Sequence, residues 1–254
     1  MKSRLARASV SLGGVLVLSH SWAAVYPGNG DASHGGEIGK GSLELKDNGV
    51  TVSATYTRGT APFDGDLVLF IDCVPGGFTS TSTFTDKSSE LTRAISGVDA
   101  TGTKRTTANF APGFAADYAV ALGVNPGGAI YRLGTGTLEY LGSAYLSPRE
   151  AQIFATYTFS FDWQTIGLPR SRTNFFKFES TYSTSAGNRC TESFESVTGS
   201  GNWGGTLNFS NYDVYGVNPV PEATNPALAI FGGMLLAAGS VGSLRKMIKK
   251  NTAK

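Results

Sequence analysis

The chain has 254 residues, 21 basic against 19 acidic, two histidines, two cysteines and abundant glycine. Eight of the basic residues lie in the two end segments (Lys2, Arg4, Arg7, Arg245, Lys246, Lys249, Lys250 and Lys254), so the region between carries a net charge of about −6 and lacks the clustered positive charge that nucleic-acid binding needs. With His20 in the N-terminal segment, only His34 remains for the middle of the chain, which rules out a multi-histidine metal site and leaves one histidine for any Ser-His-Asp arrangement.

The first 23 residues have the three parts of a secretory signal peptide. Lys2, Arg4 and Arg7 form a positive start and 10–18 is an apolar run too short to span a bilayer. Ser21 and Ala23 then place small residues where cleavage between Ala23 and Ala24 requires them. Residues 24–40, rich in glycine and carrying His34, read as a flexible leader.

From 41 to 217 the pattern is that of strands. Residues 42–46 and 50–56 alternate around Asp47-Asn48-Gly49, which predicts a hairpin with Asn-Gly at its turn. The run 66–72 (DLVLFID) is apolar on both faces, as a covered central strand would be. Further strands are predicted over 117–122, 129–133, 137–141, 152–163, 174–182 and 205–215, with short helical turns near 86–91 and 164–166. In 152–163, Tyr157, Phe159, Phe161 and Trp163 fall on one side and Thr156, Thr158, Ser160 and Asp162 on the other. Nine or ten such strands predict an all-β, antiparallel β-sandwich, close to a jelly roll. Cys73 and Cys190 form either one disulfide closing a long loop or two free thiols.

Several chemistries can be weighed on these residues. Glycoside hydrolysis needs two carboxylates about 5–9 Å apart. Asp64, Asp66, Asp72, Asp117, Glu139, Asp162, Glu179, Glu192 and Glu195 offer many pairs, with no motif to choose among them. Asp64-Gly65-Asp66 with Asp72 suggests calcium, but without EF-hand spacing, and no metal site or cofactor is assigned. Exposed aromatic rings stack on sugar faces; Tyr131, Tyr140 and Tyr145 in the middle, and Trp203, Tyr212 and Tyr215 near the end, are the candidates.

After a linker, 218–226, the C-terminal part reads Val220-Pro221-Glu222, then an apolar run over 227–244, then a basic tail over 245–254 with Arg245, Lys246, Lys249 and Lys250. Eighteen helical residues span about 27 Å, close to the hydrocarbon core of a bilayer, and basic residues beside a membrane segment stay cytoplasmic. The preceding domain is therefore expected on the far side. These three parts in order resemble the PEP-CTERM sorting signal of Gram-negative bacteria, with Ala223 standing where a second proline is commonest. The resemblance implies processing by a membrane-embedded exosortase, a transient inner-membrane anchor, delivery to the cell surface or extracellular matrix, and a link to exopolysaccharide and biofilm. Between the two signals, the early hairpin, DLVLFID before Pro75-Gly76-Gly77, and the stretch 113–118 (GFAADY) resemble secreted DOMON or carbohydrate-binding β-sandwich modules. That resemblance assigns no ligand residue. The sequence therefore reads as an exported, non-enzymatic surface protein that binds or organises exopolysaccharide. Its rivals are an envelope hydrolase using two carboxylates and a purely structural matrix subunit.

Overall fold

The computed structural model describes residues 23–30, 36–60, 62–123, 125, 127–148, 154–183 and 190–216. His34, the signal-peptide h-region, Val220-Pro221-Glu222, the apolar segment 227–244 and the basic tail lie outside them. No helix among the described residues is long and apolar enough to cross a membrane.

The fold is all-β and mostly antiparallel, in stacked layers. The outer sheet has the order β1 (Ala23–Pro27), β2 (Ser42–Asp47), β3 (Thr51–Thr57) and β9 (Thr156–Asp162). The central sheet runs β11 (Cys190–Glu192), β10 (Phe175–Ser183), β4 (Asp66–Asp72), β6 (Tyr118–Gly123), β7 (Gly127–Arg132) and β8 (Glu139–Ser143), with β14 (Asp213–Gly216) also paired to β10. A third, small sheet joins β12 (Val197–Gly199), β13 (Thr206–Phe209) and β5 (Thr107–Asn109), the last pair parallel.

Alternation on β4 explains the layering. Leu67, Leu69 and Ile71 point into the core shared with the outer sheet, where they meet Leu43, Val52, Tyr56 and Phe159. Val68 and Phe70 point the other way, into a second core with Phe110, Leu207 and Phe209. Helix α2 (Glu90–Ser96) covers part of that face through Leu91, Ala94 and Ile95. Its neighbours on β6 are Ala119 and Ala121, small enough for a helix to come close. The helix starts at a capping box in which Ser89 Oγ accepts from Thr92 N (3.1 Å) and Thr92 Oγ1 accepts from Ser89 N (2.9 Å). It stops at Gly97, whose φ of 65° is the left-handed conformation glycine adopts at little cost. The expected two-sheet sandwich is thus one half of the domain; the third layer completes it.

Four sequence expectations are corrected. The hairpin turn does not place Asn-Gly at its centre: Asn48 N donates to Thr51 O (3.3 Å), so Gly49-Val50 is the two-residue loop, with Gly49 first at φ 87°. Residues 205–215 are not one strand, because β13 joins the small sheet and β14 the central one. The leader is held rather than flexible where it is described. β1 pairs with β2 from Ala23↔Lys46 to Pro27↔Ser42, a short helix α1 (Gly36–Gly39) follows, and the Asn29 amide donates to Ser193 O and Glu195 O. Cleavage between Ala23 and Ala24 would remove one residue of β1.

The fourth correction concerns the cysteines. Cys73 is a free thiol just past the end of β4, donating to Ile166 O at 3.2 Å. Cys190 pairs with Ser183, which pairs with Asp66 at the opposite end of β4. At about 3.4 Å per residue, the two positions are about 24 Å apart along the ladder, far beyond the Cα separation of about 6 Å that a disulfide tolerates.

The outer edge of β10 shows a second device. β14 pairs with its residues from Phe175 to Phe178 and β11 with Tyr182 and Ser183, leaving a gap between them. Glu195 fills it: Oε2 accepts from Ser180 N (2.9 Å), Ser180 Oγ (2.8 Å) and Ser193 Oγ (2.6 Å). A side chain thus satisfies backbone that a strand would otherwise cover.

Candidate functional site

A surface site lies where β8 and β9, edge strands of different sheets, come together. The segment after β8 crosses between them. Ala144 N donates to Gly128 O (2.9 Å), Ser160 N donates to Ala144 O (3.0 Å), and Ser147 and Thr158 exchange both backbone bonds (2.8 and 2.6 Å). Ala144 and Leu146 are buried, while Tyr145 between them is 77% exposed. Its φ of 45° is the one positive value at a non-glycine residue among those described. An aromatic side chain in this region carries backbone strain of about 1–3 kcal/mol, which persists only when the surroundings hold it. Here the flanking crossover bonds and buried neighbours hold it.

Beside Tyr145 is a groove of about 330 Å3, the lower end of the range for small-ligand sites. Ile130 and Phe161 supply apolar lining; Thr51, Ser143, Ser160, Thr165 and Asp162 supply polar groups. Tyr140, 58% exposed, adjoins the groove through a hydrogen bond between its hydroxyl and Ser143 Oγ (3.1 Å). Asp162 is held by Gln164 N (2.9 Å) and by Arg170, whose Nε is 3.0 Å from Oδ2. The Arg170 hydrogen bond is the largest influence lowering its pKa, so Asp162 offers an ionised acceptor at neutral pH. Exposed rings, hydroxyls and one carboxylate match the requirements of a sugar, whose apolar face stacks while its hydroxyls hydrogen-bond.

The remaining sugar-stacking candidates are occupied in packing. Tyr131 is buried, and Tyr215 is fully buried with its hydroxyl donating to Asp47 Oδ2 at 3.0 Å. Tyr212 is half-buried against Phe114, with the Lys177 ammonium 5.1 Å from its ring centre. Trp203 is half-buried.

The candidate carboxylates do not gather at the groove, although Glu179 lies within electrostatic reach of Glu195 and Asp72, and Asp117 of Asp72. Asp64 accepts from Tyr182 (3.1 Å), Asp72 pairs with Lys177 (3.0 Å), Asp117 accepts from Cys73 N and Val74 N (both 3.0 Å), and Glu139 pairs with Arg132 (2.5 Å). The Glu192 side chain lies outside the described residues. Asp66, Glu179 and Glu195 are enclosed, and burial pushes their carboxyls up to about 7, about 9 and about 7. Glu179 also accepts from Ala111 N (2.9 Å) and feels the charges of Glu195 and Asp72. Of the eight whose side chains are described, Asp162 alone lines the groove. Asp64 and Asp66 sit at one end of β4 and Asp72 at the other, so the calcium constellation is not assembled. Among the described residues no three His, Cys, Asp or Glu side chains are gathered as metal ligands.

The tyrosines were visible in the sequence, but the feature that separates Tyr145 from Tyr131 and Tyr215 was not. Nothing in the residue type marks a positive φ or a crossover between sheets. Comparison with protein-family models, with curated proteins and with solved structures finds no match to this chain.

Proposed function

We propose that this is an exported, non-enzymatic cell-surface or matrix protein whose sandwich domain binds polysaccharide at the Tyr145 groove. The observation that carries the binding reading is the exposed, conformationally held Tyr145 at the rim of a hydroxyl-lined groove. Export is supported by the sequence: the signal peptide with cleavage between Ala23 and Ala24, and the Val220-Pro221-Glu222 motif ahead of the apolar segment and basic tail. The partners are an exosortase, the membrane as a transient anchor, and exopolysaccharide. The single groove carboxylate favours binding over the two-carboxylate hydrolase.

The test is affinity electrophoresis of the purified protein through gels containing the host's exopolysaccharide. Tyr145→Ala is expected to weaken retardation about tenfold, the order of a lost stacking contact of about 1–1.5 kcal/mol. Release of reducing sugar would support the hydrolase instead; equal mobility of both proteins with and without glycan would support a structural subunit. For sorting, replacing Pro221 and Glu222 by Ala should leave full-length protein in the inner membrane, and unchanged surface release would refute the processing role.

A further inference from the structure

The two segments that the sequence directs to a membrane both join the folded domain at the same end. Ala23 opens β1 opposite Lys46, beside the β2–β3 turn, and Gly216 closes β14 opposite Phe175. Two contacts tie these exits together: the Tyr26 hydroxyl donates to Val214 O (2.8 Å) and the Tyr215 hydroxyl to Asp47 Oδ2 (3.0 Å). Three large apolar side chains are exposed around them. Val50 at the hairpin tip, Phe175 and Val214 are 41%, 47% and 42% exposed. Register places Val214 opposite Lys177, so Val214 and Phe175 lie on one face of the β10–β14 ladder. Arg170 and Arg172 stand in the loop leading to Phe175, and Lys46 is next to the turn.

Only ten residues, 217–226, separate Gly216 from the apolar segment. Ten residues reach at most about 35 Å. Tethering at that range makes a weak patch effective, because association becomes intramolecular.

We infer that this end of the domain docks on the lipid bilayer surface, with Val50, Phe175 and Val214 entering the boundary between headgroups and acyl chains. Arg172 and Lys46 lie at headgroup level, their aliphatic stems along the apolar surface and their charges in the polar layer, while Arg170 stays paired with Asp162. The inference rests on reading 227–244 as a membrane anchor. Docking turns the far end of the sandwich, with Phe154 and the Arg58 contacts to it, away from the membrane.

The test uses the full-length chain with the photoreactive analogue p-benzoylphenylalanine at position 50, 175 or 154, floated with vesicles of phosphatidylethanolamine and phosphatidylglycerol and then irradiated. Lipid adducts read by mass spectrometry are expected at positions 50 and 175 at no less than five times the yield at position 154. Equal yields at the three positions, no adducts, or cross-links from position 175 to a second copy of the chain would overturn docking while leaving the anchor intact. Protein that does not float with the vesicles would refute the anchor and the docking together.

Discussion

Replacing Glu195 by glutamine should flatten the dependence of stability on pH. Burial is the dominant cause that raises the Glu195 carboxyl from 4.5 to about 7, against the lowering effect of hydrogen bonds from Ser193 and Ser180. A difference of about 2.5 pKa units at about 1.4 kcal/mol each is worth about 3 kcal/mol. The sign follows from proton counts. Below pH 4.5 the acid is protonated folded and unfolded, and its contribution is fully present. As pH rises the unfolded chain releases the proton first, so stability falls, and the loss is complete once the folded carboxyl ionises above pH 7. Glutamine keeps the shape and an acceptor for Ser180 N but has no proton to lose. Urea unfolding of the protein at pH 4 and pH 8 should show wild type losing about 3 kcal/mol more than Glu195→Gln across that interval. Asp66 carries a shift of the same sign that is common to both proteins and cancels, while Glu179, raised in part by the Glu195 charge, relaxes in the variant and adds to the flattening in the same direction. Equal slopes, or wild type gaining stability relative to the variant as pH rises, would refute the assignment of this carboxyl as the buried titrating group.

Three further outcomes are expected. Tyr145→Gly should raise stability by about 1 kcal/mol by removing the left-handed strain, measured as a higher urea midpoint, while weakening polysaccharide retardation as Tyr145→Ala does; a less stable variant would mean the ring packs rather than projects. Trp163→Ala should cost about 3–5 kcal/mol, since the ring is fully buried, stacked on Tyr215 at 6.3 Å and edge-on to Phe176 at 5.7 Å, and a midpoint shift corresponding to under 1 kcal/mol would contradict that packing. Burial pushes the Cys73 thiol up to about 12, with Asp117 and Asp72 adding to the effect. Iodoacetamide at pH 8 should therefore leave Cys73 unmodified in the folded protein and alkylate it in denaturant without any reductant; a requirement for reductant would restore the disulfide.

The strands that could be read from the sequence were those of six to nine residues. β4 matches its predicted limits, β2, β3, β6 and β10 fall within one residue of theirs, and β9 starts four residues later than predicted; on β2, β3 and β9 one buried face imposes period two. The full burial of β4 told correctly that both its faces are covered, but not by what. The covering elements are short: β5 and β12 have three residues each, too few for a period. Residues 205–215 look continuous because β13 and β14 both alternate, and the change of sheet falls in Ser210-Asn211-Tyr212, polar enough to pass for an outward-facing stretch. β1 was hidden by Pro27 and Gly28, which signal a loop, although an edge strand tolerates both at its end. For the site, tyrosine type was legible and tyrosine exposure was not, since exposure depends on which sheet the next residues join.

The position of β14 sets a schedule for folding. Tyr215 is in the main core and β14 closes one side of β10, so the domain cannot complete itself until residue 216 is free to pair. Thr107 pairs with Thr206 across 99 residues of sequence, and all-β folds with such distant pairings form in milliseconds to seconds. At synthesis rates of about 5–20 residues per second, the ten residues before the apolar segment take about one second. In a chain exported as proposed, the last strand would be finding its place while the anchor is still arriving, and folding and membrane arrest would run as competing clocks.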